Sequence, residues 1–292
     1  ELQAIRFHPG IPLERTGLPA AHYHLVTSQY GIEYGNLDAA VIEIARLLVP
    51  GGRFGAILHS ADSNVARTAA NIEALLTLVL GELAIPDLVR RLLARTGDVR
   101  DAATLARTRS EPATAALWLE FQRAGARGQA AAAHDEQMRG TMHGFLQRLS
   151  APFDHAIGSD PPAKLALVDQ VERKSQGLLQ RMAALRACAL DRHGLDRFLD
   201  QLGRAGVVPA PAQTIHFGPL NEAMGYGVVA RRRSGRAGTI AGAVKPWTMR
   251  AHPRVMLLAT ALPTTAPAMA DAPPAVEADT DLVLRAAAGD TP

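Results

Sequence analysis

The sequence predicts an α/β fold in which a short series of strands and helices is interrupted by a large, purely helical insertion. Strand-like and helix-like patterns alternate over residues 23–59, as in a βαβ unit with two parallel strands. Residues 62–194 show helical spacing of apolar residues and no convincing strand. Residues 195–233 return to mixed helix and strand, so residues 1–61 and 195–233 are expected to form one sheet domain split by the insertion.

Each element of the βαβ unit has its own local pattern. Residues 23–28 (YHLVTS) are rich in strand formers. Residues 36–49 carry apolar side chains at helical spacing, and Asn36 is the predicted N-cap because its side chain accepts a backbone hydrogen bond well. The Pro-Gly-Gly sequence at 50–52 is predicted to end this helix. Residues 53–59 (RFGAILH) are then expected to form the second strand.

The later segments are predicted from the same kinds of pattern. A helix is expected over residues 195–204, strand pieces over 207–208 and 213–217, and a last strand over 226–231. The link before the last strand is short enough for an antiparallel hairpin. Seven prolines and the loss of periodicity predict a disordered, low-complexity tail over residues 234–292.

Composition narrows the classes of function. The chain has 292 residues, 48% of them hydrophobic, and a formal charge of +3. Its one dense basic cluster is Arg231–Arg233, and only 4% of residues are aromatic, so a solvated basic face is favoured over a nucleic-acid site. The single cysteine, Cys188, excludes an intrachain disulfide and a cysteine-rich metal site.

Two further absences lead to expectations about location and metals. No apolar run reaches the ~18 residues that a membrane span needs. His134 and His143 lie nine residues apart, which is not the close spacing of zinc ligands on a helix. We therefore expect a cytoplasmic protein that binds neither a membrane nor a metal ion.

Three motifs, taken in order, carry a family resemblance. Residues 14–20 (ERTGLPA), 28–34 (SQYGIEY) and 47–53 (LLVPGGR) lie as in class I S-adenosylmethionine-dependent methyltransferases, and the whole stretch 22–59 is similar to that family. In the family the first motif is a loop near the adenine, the second follows the fourth strand beside the methyl group, and the third precedes the fifth strand. The resemblance implies a Rossmann-like methyltransferase sheet, with the family's antiparallel hairpin within residues 195–233.

The chain departs from the family in its cofactor signature. No glycine-rich turn precedes residue 22, although in the family such a turn and an acidic strand end hold most of the cofactor. We therefore expect an N-terminally truncated sheet that corresponds to the C-terminal half of the family fold. Because the family places its first strand beside the fourth, the strand at 23–28 is expected to be a bare apolar edge.

The resemblance implies methyl transfer from S-adenosylmethionine to a small-molecule acceptor, and assigns roles to residues near the strand ends. The sulfonium already activates the methyl group, so alignment of the reactants carries much of the rate. A base is needed only where the nucleophile must lose a proton. The implied roles are cofactor binding for Arg15, Thr16, Leu18, Ser28, Gln29 and Tyr30, substrate binding for Tyr34, and catalysis for Glu33 and His59.

Each of these roles has a structural alternative. Residues 28–30 are equally well explained as a turn with a half-buried tyrosine, and His59 as a hydrogen-bonded structural histidine. For Glu33 and Tyr34, a carboxylate at a helix entry and a packed ring are the favoured explanations. For the whole chain, the alternative to an enzyme is a non-catalytic methyltransferase remnant or a helical partner-binding protein. The insertion either caps a substrate or pairs between subunits, which leaves a homo-oligomer open.

Overall fold

The computed structural model describes residues 6–96, 99, 101–154, 160–234 and 255–258. The chain divides into two compact units. One, the sheet unit, comprises Glu1–Ser63 and Ala189–Pro292, and the other, the helical unit, comprises Asn64–Cys188. The boundaries expected from the sequence, 61/62 and 194/195, lie a few residues away.

Strands are confined to the sheet unit, among the residues that the structure describes. They are β1 (Tyr23–Gln29), β2 (Leu48–His59), β3 (Val207–Pro209), β4 (Gln213–Phe217), β5 (Glu222–Arg232) and β6 (Val255–Leu258). The α-helices are α1 (Leu37–Leu47), α2 (Asn64–Thr77), α3 (Ile85–Thr96), α4 (Ala102–Ser110), α5 (Pro112–Ala132), α6 (Glu136–Asp154), α7 (Pro161–Cys188) and α8 (Arg192–Arg204). A 3-10 helix spans Ile32–Tyr34, and a π-helical turn spans Leu78–Glu82.

The sheet is mixed and open, so the prediction of an α/β fold is confirmed. Its path is β3-β5-β2-β1-β6, and β4 pairs with β5 outside this path. β1 and β2 are parallel neighbours, while β5 lies antiparallel to β2, β3 and β4. The predicted parallel pair and the predicted antiparallel hairpin are therefore both present.

One face of the sheet packs against α1 and α8. Val26, Phe54, Leu58 and Val228 come from three neighbouring strands and are at most 1% exposed. Phe54 meets Phe198 of α8 edge to face, with ring centroids 6.4 Å apart. Alternation along each strand sends these residues to the same face, as expected for a strand in contact with a core.

The helix before β2 is shorter than the sequence predicts. Asn36 caps it as expected, because its Oδ1 accepts a hydrogen bond from the Ala39 amide at 3.1 Å. The helix ends at Leu47, and the Pro-Gly-Gly sequence already belongs to β2. Gly51 has a φ of +79°, and a Cβ on Gly52 would lie 2.9 Å from the carbonyl oxygen of Val49. The glycines therefore shape a bulged strand start rather than only ending a helix.

Two arginines of the basic cluster close the same corner. The Arg231 guanidinium donates from Nε to the Gly51 carbonyl at 3.2 Å, and Arg232 donates to the Leu48 carbonyl. These side chains satisfy backbone oxygens at the start of β2, so this part of the cluster has a structural role.

The edge of β1 is covered, contrary to the expectation of a bare edge. β6 lies parallel to β1, with Leu25 opposite Val255 and Ser28 opposite Leu258. The prediction of a disordered tail is thus wrong for residues 255–258. A four-residue strand within a proline-rich segment is too short to show the periodicity by which a strand is predicted. The remainder of the predicted tail, apart from residue 234, lies outside the described residues.

The helical unit has an apolar core of its own, contributed by α2, α3, α5, α6 and α7. Val79, Ile85, Met142, Phe145 and Leu149 are at most 2% exposed. No described helix is both long enough and apolar enough to cross a membrane.

An arginine joins two helices of this unit. Arg90 of α3 contacts Asp169 of α7 at 2.7 Å and also pairs with Glu172. The carboxylates stabilise the guanidinium, and they raise its pKa despite the opposing effect of burial, which is the largest single influence.

Candidate active site

The candidate site lies where the two parallel strands end. Tyr30 directly follows β1, His59 is the last residue of β2, and the amide of Tyr30 donates to the Ile57 carbonyl at 2.8 Å. Because β1 and β2 are parallel neighbours, these two residues lie at the same edge of the sheet. In open α/β sheets, ligands bind at the carboxyl edge of the parallel strands.

A tight turn after β1 places three site residues. The Ser28 hydroxyl accepts a hydrogen bond from the Ile32 amide at 3.0 Å, which fixes the start of the 3-10 helix. Tyr30 has a φ of +49°, in the left-handed region that non-glycine residues seldom adopt. Such backbone strain is concentrated at functional sites. The turn brings Glu33, in the middle of the 3-10 helix, back toward the end of β2.

Glu33 and His59 form a buried, hydrogen-bonded pair. Glu33 Oε1 lies 2.7 Å from His59 Nδ1 and accepts the His59 backbone N–H at 3.0 Å. The Glu33 side chain is fully buried and the His59 side chain is 8% exposed. Glu33 Oε2 is also buried but has no hydrogen-bond partner among the described residues. Buried polar atoms are normally paired, so this oxygen distinguishes the site from an ordinary structural contact.

Two tyrosine rings enclose the imidazole. The Tyr30 ring lies 4.4 Å from the His59 ring, and the Tyr34 ring meets it edge-on at 5.8 Å. Burial, and then the charge of Glu33, raise the pKa of the Tyr30 phenol above its ordinary value. Tyr30 is therefore a neutral hydrogen-bonding group over the physiological range.

Sequence analysis missed two residues that shape this site. Gly225 of β5 lies opposite His59, and a Cβ there would come within 2.3 Å of the Leu58 carbonyl oxygen. The amide of Leu190 donates to the His59 carbonyl at 2.9 Å and anchors the end of β2. A glycine inside a strand pattern is a known sign of close backbone approach, but the last strand is expected to begin only at residue 226, so Gly225 falls in the link before it.

The loop for which the resemblance predicts adenine binding is organised around a buried carboxylate. The Thr16 amide and hydroxyl both donate to Glu43 Oε1, at 2.9 and 2.5 Å. Arg46 donates to both oxygens of Glu43 at 2.7 Å. The hydrogen bonds from Arg46, and then those from Thr16, hold the pKa of Glu43 at about 2. In the sequence, the only sign of this buried carboxylate is that Glu43 lies on the apolar face of the predicted helix.

We predict that Glu43→Gln destabilises the sheet unit above pH 4.5 by about 2 kcal/mol, since a lowered folded-state pKa stabilises the fold. The Glu43 carboxylate has a pKa of about 2 in the folded chain against an ordinary value of 4.5. Its contribution is therefore complete above pH 4.5 and is lost as the pH falls toward 2. Hydrogen exchange of the α1 amides at several pH values measures the free energy of opening.

The matched control is Asp200→Asn, which removes an exposed carboxylate from α8. We expect this change to alter stability by less than about 0.5 kcal/mol. An equal loss in both variants, or a loss in Glu43→Gln that persists unchanged at pH 2, would contradict the role of Glu43.

The structure brings four of the nine predicted site residues together. Tyr30, Glu33, Tyr34 and His59 form one cluster at the sheet edge. The remaining five are dispersed: Ser28 is buried in the turn, Gln29 and Arg15 are exposed, Thr16 binds Glu43, and Leu18 packs against the core of the sheet unit.

No other described feature competes with this cluster. Among the described residues, no group of three or more histidine, cysteine, aspartate or glutamate side chains is placed to hold a metal ion. The helical unit contains an open pocket of about 500 Å³. Its charged residues are engaged in ion pairs, Glu73 with Arg186 at 2.7 Å and Glu82 with Arg127. We therefore place the candidate site at the sheet edge.

Comparison with protein-family models, curated proteins and solved structures finds no match to this chain.

Proposed function

We propose that this chain takes part in methyl transfer from S-adenosylmethionine to a small-molecule acceptor, at the edge where β1 and β2 end. The observation that carries the proposal is the cluster of Tyr30, Glu33, Tyr34 and His59. These residues come from two parts of the sequence that resemble class I methyltransferases, and they meet at the edge where that resemblance expects the methyl group.

The topology of the sheet unit supports the same proposal. The resemblance implies two adjacent parallel strands followed by an antiparallel hairpin, and β1, β2, β4 and β5 have this arrangement. A Rossmann-like methyltransferase sheet is accordingly part of what we propose. Because one sheet architecture serves many functions, the side chains at the edge carry the argument and the topology supports it.

The side chains fit the methyl-bearing end of the cofactor better than its adenosyl end. Tyr30 is half-buried at the edge and Gln29 is exposed, so both are available to a ligand. In contrast, the hydroxyl groups of Ser28 and Thr16 are already engaged within the chain. We therefore assign Gln29 and Tyr30 to the methionyl end. Arg15 is exposed and remains available to bind the adenosyl end from the loop at residues 14–20.

When bound, S-adenosylmethionine supplies a methyl group activated by a sulfonium. The protein must orient the acceptor and keep water away. The rings of Tyr30 and Tyr34 lie beside His59 and can align a bound acceptor. Because the cluster is largely buried, water is partly excluded and electrostatic interactions within it are stronger. Glu33 holds the imidazole in one orientation through its bond to Nδ1.

The proposal is tested by saturation-transfer NMR of the chain with S-adenosylhomocysteine, a method suited to weak binding. We expect transfer to the homocysteine methylene protons, and we expect Tyr30→Leu to abolish it. Tyr23→Leu is the matched control, because it makes the same change at the opposite end of β1. No transfer with the wild-type chain, or equal transfer with Tyr30→Leu, would refute the proposal.

A non-catalytic methyltransferase remnant is the second candidate. It is favoured by the internal hydrogen bonds of Ser28 and Thr16, which remove two of the predicted cofactor ligands. It predicts the absence of transfer from the wild-type chain in the same NMR measurement, so one experiment separates the two candidates.

A further inference from the structure

The tautomer of His59 follows from its contact with Glu33. Glu33 Oε1 accepts the His59 backbone N–H and lies 2.7 Å from Nδ1, so this oxygen is the acceptor in the second contact as well. The proton of the neutral imidazole is therefore on Nδ1, and Nε2 carries the lone pair. Within the described residues, Nε2 makes no hydrogen bond, since the contacts of His59 involve Nδ1 and its backbone groups.

Glu33 is arranged to hold the Nδ1 side of His59. Its Oε2 accepts no hydrogen bond from the described residues, so both hydrogen bonds of its carboxyl group, with Nδ1 and with the backbone N–H, are made to His59. The pair is buried, and attraction between opposite charges is stronger where water is excluded. A proton that arrives at Nε2 would produce an imidazolium that faces the Glu33 carboxyl group through Nδ1, as in acid–base pairs that orient a catalytic histidine.

The chemistry of such a base selects the acceptor. A carboxylate nucleophile needs no base, and a thiol, with an ordinary pKa of about 8.5, is partly ionised without one. An aliphatic alcohol is a much weaker acid than a phenol, so transfer of its proton to an imidazole is less favourable. A phenol, with an ordinary pKa of about 10, can pass its proton to an imidazole when proton transfer accompanies bond formation. The flanking rings of Tyr30 and Tyr34 also suit a flat aromatic molecule.

We infer that the acceptor is a phenol, that His59 Nε2 takes its hydroxyl proton, and that Glu33 is a positioning residue for His59. This inference rests on the proposed function. In the step, the phenol oxygen bonds to the methyl carbon and the carbon–sulfur bond of the sulfonium breaks, with its electron pair remaining on sulfur. The hydroxyl proton moves to Nε2. The products are an aryl methyl ether, a neutral thioether and an imidazolium paired with Glu33.

The test uses 4-nitrophenol alone, because its ionised form is coloured and reports proton transfer without any methyl donor. With the wild-type chain, we expect the bound probe to ionise at a pH about one unit lower than the free probe, since the imidazolium stabilises the phenolate. His59→Gln should abolish this shift. His216→Gln is the matched control, an exposed histidine on β4, and should retain it.

The role of Glu33 has a separate readout. In ¹⁵N NMR of the wild-type chain, we expect His59 to be the Nδ1–H tautomer, and Glu33→Gln should change the tautomer population and reduce the nitrophenolate shift. Failure of the wild-type chain to bind 4-nitrophenol, an equal shift in His59→Gln, or an Nε2–H tautomer would overturn the inference. None of these measurements contains the cofactor, so a failed S-adenosylhomocysteine experiment would be distinguishable from them.

Discussion

Gly225→Ala is expected to destabilise the sheet unit by about 3 kcal/mol, because overpacking against fixed backbone cannot relax through a side-chain rotation. The added Cβ would lie 2.3 Å from the carbonyl oxygen of Leu58 and 3.4 Å from the Tyr30 ring. β5 would have to move away from β2 at the residue pair that contains His59. We therefore expect a loss of candidate-site geometry as well as a loss of stability.

Native-state hydrogen exchange of the β2 amides measures this effect within the sheet unit. Gly203→Ala is the matched control, because no atom lies within 4 Å of the added Cβ on α8. Alanine favours a helix over glycine, so this control should be neutral or stabilising by up to about 1 kcal/mol. Unchanged exchange in Gly225→Ala would show that the close approach of β5 and β2 is not required.

Phe198→Ala should cost about 3–5 kcal/mol, as is usual when a large buried aromatic side chain is removed. Phe198 is 1% exposed and packs edge to face on Phe54, which is fully buried in β2. Alanine would leave a cavity between α8 and the sheet that neighbouring backbone could fill only in part. The same hydrogen-exchange measurement on β2 and α8 reports the loss.

Phe217→Ala provides the comparison, since Phe217 is 58% exposed at the end of β4. Its truncation should change stability by less than about 0.5 kcal/mol. Similar losses in the two variants would mean that α8 does not depend on the core contact. Because the chain has two units, local exchange is more informative than one global unfolding midpoint.

Local chemistry explains why much of the sheet unit was predictable. The strand at 23–28, the Asn36 cap and the strand ending at His59 depend on residues close to one another in the chain, and all three are confirmed. β6 was not predictable, because its only described partner is β1, more than two hundred residues away. A four-residue strand has too little pattern of its own to indicate such a contact.

In the candidate site too, some features could be predicted from nearby residues and others depend on the folded structure. The strand ends indicated Tyr30 and His59, because residues that follow adjacent parallel strands must share an edge. The buried bond between Glu33 and His59 depends on the left-handed turn at Tyr30, for which the sequence offers no marker at a tyrosine. From the resemblance, Thr16 and Ser28 are expected to bind the cofactor. Their hydrogen bonds to Glu43 and to the Ile32 amide depend on the folded positions of those partners and could not be predicted from the sequence.

The short parallel bridge between Ser60 and Leu190 has a consequence for how the sheet unit assembles. Inside the helical unit, α2 and α7 pack side by side, with Ala66, Ala69 and Leu185 in one apolar cluster. These contacts bring the two ends of the insertion close together within the folded helical unit. The entropy cost of closing a long loop between β2 and β5 is therefore reduced wherever the insertion is folded, because its ends are already held near each other.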